Sequence, residues 1–188
     1  MSQANTPALW VVRHAAPCIA PGTCYGVLNV PADPEATQIA AQRLATALPN
    51  PALLQHSPLQ RCEQLALSLC ALQAHLTSSP DGRLREMDFG QWEGRLWADI
   101  ARDGLDAWTQ DFAHYRPGQG ENLASMLTRV SAALDEAQQH LLRGTPVVWV
   151  THAGVARCVE WLVSQGGLPA ALQVTAAHWP LPAPGFGA

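Results

Sequence analysis

Three places in this 188-residue sequence set cations and imidazoles directly after an apolar run. Leu9-Trp10-Val11-Val12 leads into Arg13-His14, and Ala52-Leu53-Leu54-Gln55 leads into His56-Ser57 with Arg61 just beyond. Pro146-Val147-Val148-Trp149-Val150 leads into Thr151-His152. Runs this short, rich in β-branched residues, read as buried strands rather than helices. In parallel α/β sheets, ligands gather at the carboxyl ends of the strands. If the three strands are parallel neighbours, two arginines and at least two histidines meet in one crevice. The helix starts that follow add backbone N–H groups and positive dipole ends. Such a crevice attracts an anion, and guanidinium forks match phosphate oxygens in particular. Taken singly, an Arg-His pair, a histidine after a strand or an arginine in a first helical turn is unremarkable. Their joint placement at equivalent points carries the case.

The elements that must position these residues alternate between strand and helix. Residues 15–32 carry several prolines and glycines and read as a loop. Asp33-Pro34 offers an N-cap followed by proline, opening a helix over residues 34–48 with Ile39, Leu44 and Leu48 among its apolar positions. Ser57-Pro58-Leu59-Gln60 has the capping-box spacing, and the helix it opens carries Leu59, Cys62, Leu65, Leu69 and Leu72 at helical intervals. Arg61 then sits in the first turn. Trp92, Trp97 and Trp108 fall in short helical patterns, so residues 91–120 form a helical excursion near the site. Trp92 and Trp97 read as core before they read as base-stacking platforms.

A longer helix spans residues 121–142, with Leu123, Leu127, Val130, Leu134, Ala137 and Leu141 on one face and Gly144 as its stop. Another follows over residues 155–164, and residues 172–179 read as a last strand. Residues 1–7 and 180–188 are expected to fray. The alternation predicts a single α/β domain over residues 1–188, a three-layer α/β/α sandwich with a mostly parallel central sheet.

Composition narrows the function classes. A hydrophobic fraction of 48% suffices for a large core, and 14% charged residues excludes a disordered chain or coiled coil. The net charge of −4 argues against a general nucleic-acid binder. No apolar stretch is long enough to span a bilayer, and the first residues lack a secretory pattern, so a cytoplasmic protein is expected. The five cysteines include no CxxC pair and read as structural thiols, Cys62 and Cys70 among them. The seven histidines show no HxxxH or HxH spacing, so neither metal nor other cofactor is expected.

The residues also resemble a family. Leu9-Trp10-Val11-Val12-Arg13-His14 is similar to the opening signature of the histidine phosphatase superfamily, which includes the phosphoglycerate mutases. His56-Ser57-Pro58-Leu59-Gln60-Arg61-Cys62 resembles its second signature. The segment from Leu84-Arg85-Glu86-Met87 through Trp92-Glu93-Gly94 resembles the stretch carrying its acid, and Val148-Trp149-Val150-Thr151-His152-Ala153-Gly154 the block with its second histidine. Order and spacing agree from residue 9 to about 165.

The resemblance implies roles. His14 is the nucleophile, forming a covalent phosphohistidine; Arg13, Arg61 and His152 bind the phosphoryl oxygens, His152 as a cation. Glu86 protonates the leaving group, with Glu93 as reserve candidate. Tyr25, Gly26, Ser57 and Ala153 are implied substrate contacts. The chemistry is consistent, since phosphoryl transfer needs positioning and charge stabilisation, which arginines and histidine supply without a metal. An imidazole of ordinary pKa, near 6.5, is substantially neutral at pH 7 and so nucleophilic. Glu86 must carry a proton to act as acid, and a bound phosphate dianion beside it favours that form.

Two positions depart from the pattern. Ala15 stands where the family usually has glycine, and Ala20 where it often has asparagine, which should weaken phosphate binding.

The acid segment lacks the mutases' Glu-Arg-His-Tyr-Gly, and Glu86 and His152 are close in sequence, which favours hydrolysis over transfer. Cys24-Tyr25-Gly26 and Asp88-Phe89-Gly90-Gln91-Trp92-Glu93-Gly94 look most like α-ribazole phosphatases of the cobalamin lower-ligand pathway. The expected partner is thus a small-molecule phosphate ester, with neither nucleic acid nor membrane, and a homodimer remains open. Alternative readings are a broad-specificity or protein phosphohistidine phosphatase, a mutase-like transferase, and a phosphate-binding domain that has lost turnover.

Overall fold

The structure, a computed structural model, describes residues 7–180 and 182–188; the fraying expected of the first residues falls on positions outside these, save Pro7. Four parallel strands form one sheet in the order β1 (Leu9–Arg13), β4 (Val147–Thr151), β2 (Leu53–His56), β3 (Ser78–Pro80). Every residue of β4 is buried, as expected of a central parallel strand covered on both faces. Burying each of its valines contributes roughly 1.5–3 kcal/mol.

Helices α1 (Pro34–Ala47) and α2 (Gln60–Leu72) cover one face through Ala41, Leu44, Leu65 and Leu69. Helices α4 (Leu123–Leu142) and α5 (Ala153–Gln165) cover the other through Leu127, Val130, Leu134 and Leu162. The three-layer sandwich read from the sequence is therefore the observed fold. Residues 91–120 form the expected excursion, built from one-turn 3-10 helices around α3 (Arg102–Gln110). Trp92 is buried there beside Trp97 and Trp108, a core role.

Local chemistry explains most boundaries. The Asp33 carboxylate accepts from the Ala36 N–H and caps α1 as predicted. Ile39 and Leu72, read as apolar helix positions, lie exposed: Ile39 is on the face opposite the buried Ala40, Ala41 and Leu44, and Leu72 is the last residue of α2. Ser57 does not cap α2, which starts at Gln60 without a side-chain cap. Its oxygen accepts from the Leu59 N–H at 3.3 Å, ahead of the helix, and the hydroxyl also hydrogen-bonds His152 Nε2 at 2.8 Å, so the local signal makes a turn and a tertiary contact rather than a helix cap. β3 carries no sequence signal, because Ser78-Ser79-Pro80 has no apolar pattern and pairs at the sheet edge.

The expected last strand is absent. Residues 170–173 make a 3-10 turn, and the Thr175 hydroxyl with the His178 ring, 2.8 Å apart, closes a further turn. Residues 182–188, expected to fray, lie along the end of β1. β1 is an edge strand with unpaired polar groups at its end, and the tail supplies partners. The Arg13 N–H donates to Ala188 O at 2.9 Å, and the Gly187 N–H donates to the carbonyls of Arg13 and His14.

Candidate active site

Because β1, β4 and β2 are neighbours in that order, their carboxyl ends bring Arg13-His14, Thr151-His152 and Ser57 together, with Arg61 in the first turn of α2. His14 is 2% exposed, and His152 and Arg61 are fully buried. The rings of His14 and His152 meet edge to face at 5.2 Å.

The hydrogen bonds fix which His14 nitrogen carries no proton. Nδ1 lies 2.7 Å from the Ala15 carbonyl, so it carries the proton and donates. Arg61 Nε–H donates to Nε2 at 3.3 Å, leaving the Nε2 lone pair beside a guanidinium. Alanine in place of the family's usual glycine keeps this arrangement, since the bond uses only the carbonyl of residue 15. Ala20 is exposed.

Burial lowers the His14 pKa to about 3; the neighbouring Arg61 and Arg13 add to this against the opposing Ala15 bond. His152 is lowered well below its ordinary value, again first by burial and then by Arg61. Both rings are thus neutral at pH 7 in this structure. That corrects the expected cationic His152 and the ordinary imidazole pKa for His14, because burial among arginines penalises a further positive charge.

A stability consequence follows. Folded His14 titrates near 3, whereas an unfolded histidine titrates near 6.5. Between those values the unfolded chain binds a proton that the folded chain does not. Stability is therefore expected to fall as pH drops from about 6.5 toward 3, by up to about 1.4 kcal/mol per pH unit for one such histidine. Urea midpoints between pH 7 and 4.5 should drop less steeply for His14→Gln than for the wild type. Equal slopes would contradict this assignment.

Arg61 is held from three sides. Beyond His14, its Nη1 donates to Leu28 O at 2.9 Å and its Nη2 to Gly26 O at 2.5 Å. Its Cζ lies 5.3 Å from the Tyr25 ring centre. Gly26 is thus a backbone partner of Arg61. A β-carbon there would collide with the Met87 carbonyl, so only glycine permits this approach.

Arg13 is turned toward the tail. Its Nη1 donates to Pro184 O at 3.1 Å, and its guanidinium lies 3.8 Å over the Phe186 ring. Its Nε is buried without a hydrogen-bond partner. The Phe186 ring also lies 5.6 Å from that of His14, so the tail covers the nucleophile candidate.

Glu86 stands at the start of α5. Its Oε2 accepts from the Gly154 N–H at 3.0 Å and its Oε1 from the Met87 N–H at 3.1 Å. A β-carbon on Gly154 would strike the Glu86 carboxylate, so the helix start is cut to admit it. Ala153 is the half-buried first residue of α5. The stretch of chain bearing Glu86 is fixed by Arg129, which donates to the carbonyls of Arg83, Arg85 and Glu86 and pairs with Glu121 at 2.7 Å. Glu93, the reserve acid, does not reach a reacting group. Its carboxylate accepts from the N–H groups of Gly26, Val27, Leu28 and Phe89.

Beside Glu86 opens a cavity of about 340 Å³, lined by Tyr25, Phe89, Trp108, Phe112, Met126 and Trp179, with Arg157 and Gly154 on its wall. No sequence pattern groups these aromatics, which come from four separate elements. Cys62 likewise reads only as core in the sequence. Its thiol donates to Thr151 O at 3.4 Å and lies 3.4 Å from His152 Nε2, and burial pushes its pKa up. It is a neutral packing group behind the ring.

Among the described residues, no helix is long and apolar enough to cross a membrane. A search of the curated proteins finds no match. Solved structures are similar. A phosphoglycerate mutase from Thermus thermophilus is 30% identical, with 84% of each chain covered and a TM-score of 0.65. A mycobacterial glucosyl-3-phosphoglycerate phosphatase is 25% identical over 86% of this chain and 80% of its own, at a TM-score of 0.70. The same phosphatase in complex with VO3 is 26% identical over 86% and 82%, at 0.69. The sequence model of the Histidine phosphatase superfamily (branch 1) matches residues 9–177. The chain therefore belongs to the histidine phosphatase superfamily.

Proposed function

We propose that the chain is a phosphomonoester hydrolase working through a phosphohistidine on His14, without a metal, on a small phosphorylated metabolite. The observation that carries this is the tautomer of His14: a buried, neutral imidazole whose Nε2 lone pair faces the Arg61 guanidinium. Nε2 attacks phosphorus, the P–O ester bond breaks, and Glu86 gives its proton to the departing oxygen. Arg61, Arg13 and His152 hold the phosphoryl oxygens, and a dianion there favours a proton on His152. Water then attacks the phosphohistidine, passes a proton to Glu86, and the P–N bond breaks to release inorganic phosphate.

The cavity beside Glu86 favours an aromatic leaving group. Trp108, on its wall, has a buried Nε1–H with no acceptor, which a ring nitrogen or oxygen of such a group would satisfy. α-Ribazole 5′-phosphate has that character, and a cytoplasmic role in the cobalamin lower-ligand pathway follows from it. The glucosyl-3-phosphoglycerate phosphatase among the similar structures favours a second reading, a broader phosphatase taking sugar and glycerate phosphates.

The test is hydrolysis of a panel of monoesters by the wild-type protein in EDTA. The expected result is metal-independent turnover with the benzimidazole riboside phosphate at least tenfold ahead of sugar phosphates in kcat/KM. Comparable or faster turnover of sugar phosphates would overturn the substrate assignment, and no turnover at all would overturn the hydrolase reading.

A further inference from the structure

We infer that Glu93 is a positioning residue of the phosphate site, holding the Arg61 guanidinium against His14 through the peptide that joins Gly26 to Val27. The inference rests on the phosphate-site reading above. The Glu93 carboxylate accepts four backbone hydrogen bonds: Oε2 from Gly26 at 2.8 Å and Leu28 at 3.1 Å, Oε1 from Val27 and Phe89, both at 3.0 Å. Four donors occupy the lone-pair directions of a carboxylate, so nothing is left for a substrate proton.

The Val27 N–H and the Gly26 carbonyl belong to one peptide plane. The first donates to Glu93, and the second accepts from Arg61 Nη2. Hydrogen bonds at both ends of a peptide polarise it and strengthen each other. A negative charge on Glu93 therefore makes the Gly26 carbonyl a better acceptor for the Arg61 cation. Gly26 O and Leu28 O, placed by the same carboxylate, fix two of the three guanidinium nitrogens and leave Nε to face His14 Nε2. The carboxylate also ties in the Asp88–Phe89 peptide, whose carbonyl accepts from the Glu121 N–H at 2.8 Å. One side chain thus couples the Tyr25 loop, beside the phosphate site, to the segment carrying Glu86.

Glu93→Gln keeps the shape but turns an amide NH2 toward two N–H donors. Vanadate and inorganic phosphate are expected to bind this variant about tenfold more weakly, with KM rising more than kcat falls. The decisive measurement is a double-mutant cycle with Arg61→Lys, read by titration calorimetry with inorganic phosphate and by vanadate inhibition. In the Arg61→Lys background, Glu93→Gln should cost less than twofold, because the fork it positions is gone. A second full tenfold loss would mean that Glu93 only stabilises the fold, and would overturn the inference. If Glu93→Gln does not fold, Glu93→Asp serves in the same cycle, keeping the charge on an arm too short to reach both loops. A wild-type protein that binds neither anion would instead overturn the phosphate-site reading.

Discussion

His14→Ala is expected to lower kcat on every phosphate ester by roughly 10⁴-fold or more, because the proposed mechanism bonds phosphorus to this side chain alone. The alternative nucleophile, His152, has its Nε2 engaged by Ser57 and backed by Cys62. The check is steady-state hydrolysis together with acid-labile labelling from a ³²P-ester, which the wild type should show and the variant should not. Retained labelling in His14→Ala would move the covalent step to another residue. Equal hydrolysis by both proteins would remove His14 from the reaction.

Glu86→Gln should separate its two effects by leaving group. Where the ester oxygen departs as an alkoxide, proton donation contributes about 10²–10⁴-fold, and that factor should vanish in the variant. With p-nitrophenyl phosphate the phenolate leaves readily without help, so the loss in the first step should stay below about tenfold. With its oxygen toward the Gly154 N–H, glutamine keeps the partner at the start of α5 and gives up only the bond from the Met87 N–H. A uniform loss across leaving groups would assign Glu86 to holding the substrate instead.

Much of this site is legible in the order of residues alone. Arg13, His14 and His152 stand at strand ends, and parallel topology by itself brings strand ends together. The rest is hidden for identifiable physical reasons. The Ser57 capping signal is local, and a buried histidine in need of a partner takes its hydroxyl. The charge state of His152 depends on burial, which composition does not encode. Glu93 looks like a spare acid because its position gives no hint of four converging N–H groups. The aromatic wall of Trp108, Phe112 and Trp179 is scattered over segments that only the folded chain brings together. The tail defies its composition because an end rich in proline and glycine usually frays, unless a sheet edge offers it bonds.

That tail puts the site under competition. An anion that needs the Arg13 guanidinium and the His14 ring must take them from Pro184 and Phe186. Cation–π contact contributes about 0.5–2 kcal/mol, and each backbone bond about 0.5–1.5. Whatever the tail gains is subtracted from the affinity of the anion, and by reciprocity the anion loosens the tail by the same factor. The tail and an anion are thus alternative partners for the Arg13 guanidinium.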